Sequence, residues 1–343
     1  MTAVTTRVLI STYLEPHLVD RIAAEPDVEV LYEPDLLPMP RYTADHGGTP
    51  PALDEEGRQR WLALLAEADV AFDFDWNDPV ALPVNAPALK WVQATSAGIG
   101  AFMKRTGLDS SGITVTTAAG THAIPLAEFA LTGALYFVKG VPFLRRQQHR
   151  HEWRRYTTRQ LAGLRLTVVG IGGMGSNVIA TFHALGARVT GVGRIGGAYD
   201  VPEGVALSDI GRLDEVLPET DILVLCSALT AETEGLIGRE QLAQLPDGAI
   251  LVNISRGQLV DEAALIDELT SGRMLGAALD VVNHEPLAGD SPLWDLENVL
   301  LSPHSASTVA TENETLVELF VENLRRWRGG QPLRNLYEAE RGY

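Results

Sequence analysis

Cysteine and positive charge are both scarce in this 343-residue chain. Cysteine occurs once, at Cys226, which excludes a disulfide within the chain and fits a reducing compartment. Lys and Arg number 27 against 45 Asp and Glu, a net charge of −18, so the global basic footprint of a duplex-binding protein is missing and nucleic acid is not an expected partner. No apolar run reaches the ~18 residues of a membrane span. Residues 1–11 carry one Arg and then a short β-like run, not the apolar core of a secretory signal, so a cytoplasmic location is expected. No fixed-period repeat and no low-complexity tail interrupts the chain.

What is present is ordinary globular composition, 45% hydrophobic and 21% charged, enough to bury a sizeable core. At roughly 100–200 residues per domain, the length predicts about two domains. Two series of strands alternating with helices run along the chain. In the first, strand-length runs at Val8-Leu9-Ile10-Ser11, Val28-Glu29-Val30, Asp69-Val70-Ala71-Phe72 and Trp91-Val92-Gln93-Ala94 flank helical stripes at Leu18, Ile22, Ala23 and at Trp61, Leu62, Leu64, Leu65. Residues 33–51, with five prolines and two glycines, read as loop and carry no functional assignment. The second series predicts six strands, at 166–169, 188–192, 222–225, 249–252, 275–279 and 299–301, matching a doubly wound dinucleotide-binding sheet. Residues 126–138 predict a long connecting helix. Residues 312–327 predict a further helix that has no place in the second sheet and would return to the first domain.

Gly170-Ile171-Gly172-Gly173-Met174-Gly175 directly follows a strand and opens a helix. Gly170 permits the tight turn, Gly172 lets the backbone approach a pyrophosphate, and Gly175 lets helix and strand pack closely. The helix N-terminus then offers the phosphates its partial positive charge. The next strand ends at Val192-Gly193-Arg194, where an NAD site places an acid on the ribose 2′-hydroxyl. Gly193 stands there, and the Arg194 guanidinium can pair with a 2′-phosphate, which favours NADP over NAD; alternatively Arg194 is a solvated loop residue.

Polar groups follow the last three strands: Asn253-Ile254-Ser255-Arg256-Gly257, then Asp280 to Leu287 with Glu285, then Ser302-Pro303-His304-Ser305. Strand carboxyl ends face the ligand crevice in such sheets, so Arg256, Glu285 and His304 are expected on the cofactor side. These motifs, with Pro292-Leu293-Trp294 and the glycine loop, in this order over nearly the whole length, resemble the D-isomer-specific 2-hydroxyacid dehydrogenases.

The resemblance implies an α/β fold of two doubly wound parallel-sheet domains. A Rossmann cofactor domain (123–305) would be inserted into a discontinuous flavodoxin-like substrate domain (1–122 and 306–343). It implies catalytic roles for Arg256, Glu285 and His304, with Arg256 also gripping the substrate carboxylate. Gly170, Gly172, Gly173, Met174, Gly175, Gly193, Arg194 and Asp280 would hold the cofactor, with Asp280 resembling the acid that bonds the nicotinamide carboxamide. The loop Gln93 to Gly100 would cradle a substrate carboxylate on the amides of Ala97 and Gly98. No metal site is assigned. The expected reaction reduces a small anionic 2-keto acid to the D-2-hydroxy acid. Ala97 in place of the Lys of phosphite-oxidising members, and Glu285 in place of the Gln of formate dehydrogenases, disfavour those activities. A dinucleotide-sensing corepressor on the same fold is the alternative. Tyr13, Leu14 and Trp76 are candidates for the substrate side-chain pocket, with ordinary packing as the other reading. Ala228 replaces a common family Pro without loss of a catalytic group.

Between Lys139 and Arg159 lie seven basic residues and a single acid, Glu152. A solvated helix face, cofactor phosphates, nucleic acid and a second subunit all remain open. The resemblance favours the subunit contact, as the family dimerises through the cofactor domain, so a homodimer is expected.

Overall fold

The computed structural model describes residues 5–194 and 196–339. The chain divides into two compact units, one holding residues up to Thr121 and again from Thr308, the other His122–Ser307.

The outer unit is built on a five-stranded parallel sheet of β1 (Thr6–Ile10), β2 (Val28–Leu31), β3 (Val70–Phe72), β4 (Trp91–Gln93) and β5 (Thr114–Thr116), in the order β2-β1-β3-β4-β5. Parallel strands covered on both faces read as unbroken apolar runs, and Val8, Leu9 and Ile10 are fully buried. Helix Pro16–Ala23 opens with a proline where its missing N–H costs nothing, and Asp54 caps helix Glu55–Glu67 by accepting from the Gly57 amide at 2.8 Å. Residues 312–328 do return to this unit as a helix. Its Phe320 ring stacks on Trp91 (centroids 5.2 Å apart) and meets Phe72 edge-on. A buried polar chain pins the return: Trp91 Nε1 donates to Thr116 Oγ1, Thr116 donates to Gln93 Oε1, and Asn323 Nδ2 donates to the same oxygen. β5 has no counterpart in the strand pattern of the sequence, being three residues long with two threonines.

The inner unit carries a seven-stranded parallel sheet. Its strands are β6 (Arg165–Val169), β7 (Arg188–Gly193), β8 (Ala206–Asp209), β9 (Ile222–Leu225), β10 (Ile250–Asn253), β11 (Gly276–Leu279) and β12 (Val299–Leu301), in the order β12-β11-β10-β9-β6-β7-β8. Six strands were expected here; the seventh, β8, is a short, largely exposed edge strand of sequence ALSD, without an apolar run to announce it. Helix Ala123–Val138 is apolar around most of its circumference and lies against the sheet. A β-carbon on Gly133 would collide with Ala278, and one on Gly276 with the Phe137 ring, so both glycines are fixed by this close approach. No single helix among the described residues is long and apolar enough to cross a membrane.

Candidate active site

The glycine loop leaves β6 through Gly170, whose φ of 99° lies in the left-handed region that glycine tolerates. A β-carbon there would stand 2.7 Å from the Ser227 amide nitrogen. One on Gly175 would strike the Gly170 carbonyl, which is the close helix–strand packing expected of the third glycine. Gly172 is the N-cap of helix Gly173–Ala184, has no side-chain cap, and faces open space where a β-carbon would go. The amides of the first turn, which Gly173 and Met174 begin, are thus free of side-chain competition beside a cleared volume. A dinucleotide pyrophosphate fits that arrangement.

At the end of β7, Gly193 is buried and the Tyr199 ring leans on it; any side chain at 193 would overlap the phenol. Tyr199 also packs on the core of the unit, so the ring is held in place. Arg194 is exposed.

The three polar segments follow β10, β11 and β12, which are neighbours in the sheet. After β10, Asn253 organises the turn. Its Oδ1 accepts from the Ser255 amide and hydroxyl, and its Nδ2 donates to the Arg256 carbonyl at 3.0 Å. Gly257 has no room for a side chain because the 282–283 backbone passes against it. Arg256 is half-buried and donates from its guanidinium to the Ser255 carbonyl at 2.7 Å.

After β11 and β12, Glu285 and His304 meet: Oε2 lies 2.7 Å from His304 Nδ1. Glu285 Oε1 in turn accepts from the Val282 amide. His304 has φ of 55°, a left-handed conformation that a histidine keeps only where its surroundings impose it. Those surroundings are Asp280. This carboxylate, 2% exposed, accepts from the Ser302 hydroxyl at 2.6 Å and from the Ser305 and Ala306 amides at 2.9 Å each, while its carbonyl accepts from the His304 amide. Asp280 therefore folds the loop that presents His304. Neither that nor the holding role of Asn253 was read from the sequence, where each appears as one polar residue near a strand end. Arg256 makes no hydrogen bond or ion pair to Glu285 or His304 among the described residues.

Ala97 and Gly98 lie in the outer unit, on an accessible loop after β4. Leu14, a candidate for the substrate pocket, is 1% exposed and belongs to the outer core; its apolar side chain packs under β1 and β3 with Leu18 and Phe72. Trp76 is half-buried against Trp61. In the basic segment, Arg146 pairs with Glu297 at 2.7 Å, Arg159 with Asp221 at 3.0 Å, and Lys139 donates to the Arg159 carbonyl. Arg150, Arg154 and Arg155 are exposed, and Trp153 between them is 101% exposed. The Cys226 thiol is buried, which pushes its pKa far up and leaves it unreactive.

Residues 131–306 match the family model described as "D-isomer specific 2-hydroxyacid dehydrogenase, NAD binding domain". The chain is 28% identical over 284 residues to a hydroxypyruvate reductase of Blautia hydrogenotrophica, covering 79% of this chain and 86% of that one. It is similar in structure to a D-isomer-specific 2-hydroxyacid dehydrogenase of Xanthobacter autotrophicus solved with NADPH and MES. There the TM-score is 0.77 and the identity 31%, with 99% of this chain and all of that one covered. It is also similar to an NADPH-dependent glyoxylate/hydroxypyruvate reductase of Sinorhizobium meliloti solved with NADP and sulfate, with TM-score 0.79, 25% identity, and coverage of 99% and 100%.

Proposed function

The chain belongs to the D-isomer-specific 2-hydroxyacid dehydrogenases, NAD(P)-dependent enzymes that act on keto acids, and from that premise we propose that it reduces a small 2-keto acid to the D-2-hydroxy acid with His304 as proton donor. The observation that carries this reading is the 2.7 Å contact between His304 Nδ1 and Glu285 Oε2. A carboxylate on Nδ1 fixes the ring, leaves Nε2 to hold the proton, and stabilises the imidazolium that delivers it. Bound cofactor supplies the hydride for the keto carbon. His304 Nε2 gives its proton to the keto oxygen as that oxygen gains charge. Arg256 presents a planar fork of donors suited to a carboxylate and to a developing alkoxide. Gly170, Gly172, Gly173, Met174 and Gly175 receive the pyrophosphate. Ala97 and Gly98 offer backbone amides to the substrate carboxylate. Asp280 keeps a cofactor-side assignment through its remaining oxygen, beside its grip on the His304 loop.

NADP is the preferred cofactor in this reading. Gly193 carries no carboxylate to hold a 2′-hydroxyl or repel a 2′-phosphate, and Arg194 supplies a cation beside it. The NADPH and NADP of the two solved relatives point the same way. A homodimer formed through the inner unit is supported by Trp153, a large apolar side chain exposed among cations. Beside the same segment lies a cavity of about 410 Å³ lined by Phe137, Phe143, Leu275 and Leu296. The deciding experiment is NADPH consumption by the purified chain on adding glyoxylate or hydroxypyruvate. Turnover supports the reductase, whereas cofactor binding without turnover of any 2-keto acid favours a dinucleotide sensor.

A further inference from the structure

The Arg256 guanidinium and the Glu285–His304 pair have to work on one small substrate. No hydrogen bond or ion pair joins the two among the described residues, so their relative position is carried by the backbone between them. The two segments meet at one peptide. The 282–283 backbone passes directly over Gly257, the residue after Arg256, and a β-carbon on Gly257 would overlap the Val282 carbonyl. The absence of a side chain at 257 is what lets the turn after β10 touch the loop after β11.

At that contact both backbone polar groups of Asn283 are taken by side chains. Glu262 Oε2 accepts from the Asn283 amide at 2.9 Å, and Gln258 Nε2 donates to the Asn283 carbonyl at 2.9 Å. Both partners belong to the segment that carries Arg256. Gln258 follows Arg256 by two residues, and Glu262 opens helix Glu262–Thr270. The Asp261 carboxylate caps that helix by accepting from the Ala264 amide at 3.0 Å, which fixes the turn on which Glu262 stands. A carboxylate in the first turn of a helix is also favoured by the helix dipole. The side-chain oxygen of Asn283, by contrast, is buried without a hydrogen-bond partner among the described residues, so this residue is held by its backbone. The space left between Gly257, Glu262, Leu265 and Val282 is about 10 Å³, at most the room of one water. From the clamped backbone the path to the reacting groups is short. The Val282 amide donates to Glu285 Oε1 at 3.3 Å, and Glu285 Oε2 meets His304 Nδ1. One oxygen of Glu285 is thus tied to the clamp and the other to the imidazole.

We propose that Glu262, assisted by Gln258, is a positioning residue for the reduction. By fixing the Asn283 backbone against the Arg256 turn, it sets where Glu285 stands behind His304 and holds that pair in register with Arg256. It acts through Glu285 and not on the substrate. A bond from an amide to a carboxylate is stronger than one between neutral groups, and so suits a contact that has to hold a loop still. Removing the carboxylate leaves the Asn283 N–H without its partner and frees the loop to shift. A displacement of about 1 Å at a reacting group is enough to cost up to about 10² in rate. The inference rests on the reductase reading and adds to it the groups that bring its two catalytic segments together.

The test is steady-state kinetics of the full chain with NADPH and the 2-keto acid it reduces best. Glu262→Ala is expected to lower kcat by about tenfold or more, with KM for NADPH and for the keto acid changed by about twofold or less. Glu262→Gln, whose amide oxygen still accepts from Asn283, should recover most of that loss. In a Glu285→Ala background no group is left for the clamp to place, so adding Glu262→Ala should cost about twofold or less. A merely structural role would lower the melting temperature and cost as much with or without Glu285. NADPH binding and the melting temperature report folding. If Glu262→Ala does not fold, Gln258→Ala, at an exposed side chain, removes the other bond and should lower kcat by about threefold or more with the same dependence on Glu285. An unaltered kcat in the folded variants overturns the positioning role alone, as does a loss undiminished in the Glu285→Ala background. A wild type that turns over no 2-keto acid overturns the reductase reading, and the positioning role with it.

Discussion

The Tyr199 hydroxyl closes on both backbone polar groups of Arg194, accepting from its amide at 2.6 Å and donating to its carbonyl at 3.1 Å. The phenol thereby occupies the space into which a side chain on Gly193 would grow. An acid cannot simply be restored at 193, which gives the cofactor preference a steric element beside the charge of Arg194. Gly193→Asp alone is expected to impair both cofactors, and Gly193→Asp with Tyr199→Gly to recover NADH. Arg194→Ala should raise KM for NADPH by about tenfold or more, the worth of a charge-assisted pair, with little change for NADH. Kinetics with both cofactors read this out, and an equal or better wild-type rate with NADH would sink the preference.

His304→Gln is expected to lower kcat by about 10²–10⁴-fold with NADPH binding retained, the usual contribution of a positioned general acid. Glu285→Gln should cost less, since an amide still orients Nδ1 but does not stabilise the imidazolium. Single-turnover rates check both, and an active His304→Gln enzyme would remove His304 as the donor.

In the outer unit, Glu25, 6% exposed, accepts from Arg325 at 2.6 and 2.8 Å and from Arg21 at 2.8 Å. Arg325 foremost holds this carboxyl below its ordinary value of 4.5, against the opposing effect of burial. A depressed carboxylate stabilises the fold above its unfolded pKa and loses that contribution as pH falls through the folded value. Glu25→Gln should therefore cost about 1–3 kcal/mol near neutrality and progressively less below pH of about 4.5. Chemical unfolding of both forms from pH 7 to 3 measures the gap, and a constant gap would refute the linkage.

Trp153→Ala should weaken self-association without disturbing the inner core, since the side chain is fully exposed. Sedimentation velocity across a dilution series reads this directly. A dimer of unchanged affinity would place the interface elsewhere.

Most strands were legible because parallel strands buried on both faces are written as apolar runs. Those missed, β5 and β8, are three or four residues long and rich in Thr, Ser and Asp. The placement of Arg256, Glu285 and His304 just past β10, β11 and β12 was legible from the order of apolar runs and the polar residues that follow them. What holds them was not: Asp280 reaches its partners over more than twenty residues, and nothing local in Val282-Asn283 shows that it presses on Gly257. Leu14 shows the converse, since nearness to a strand end does not distinguish a residue facing ligand from one facing the core.

The helix Glu312–Arg328 covers Val8, Ile10, Val70, Phe72 and Trp91 from the far end of the chain. On the ribosome, those side chains are made long before their cover. About 200 residues separate β5 from Phe320, and at about 5–20 residues per second the wait is on the order of 10–40 s. The inner unit is synthesised whole in that interval and can fold first. The outer sheet meanwhile shows a bare apolar face to solvent or to a chaperone, so its yield is set by how the nascent chain is protected as well as by the stability of the finished protein.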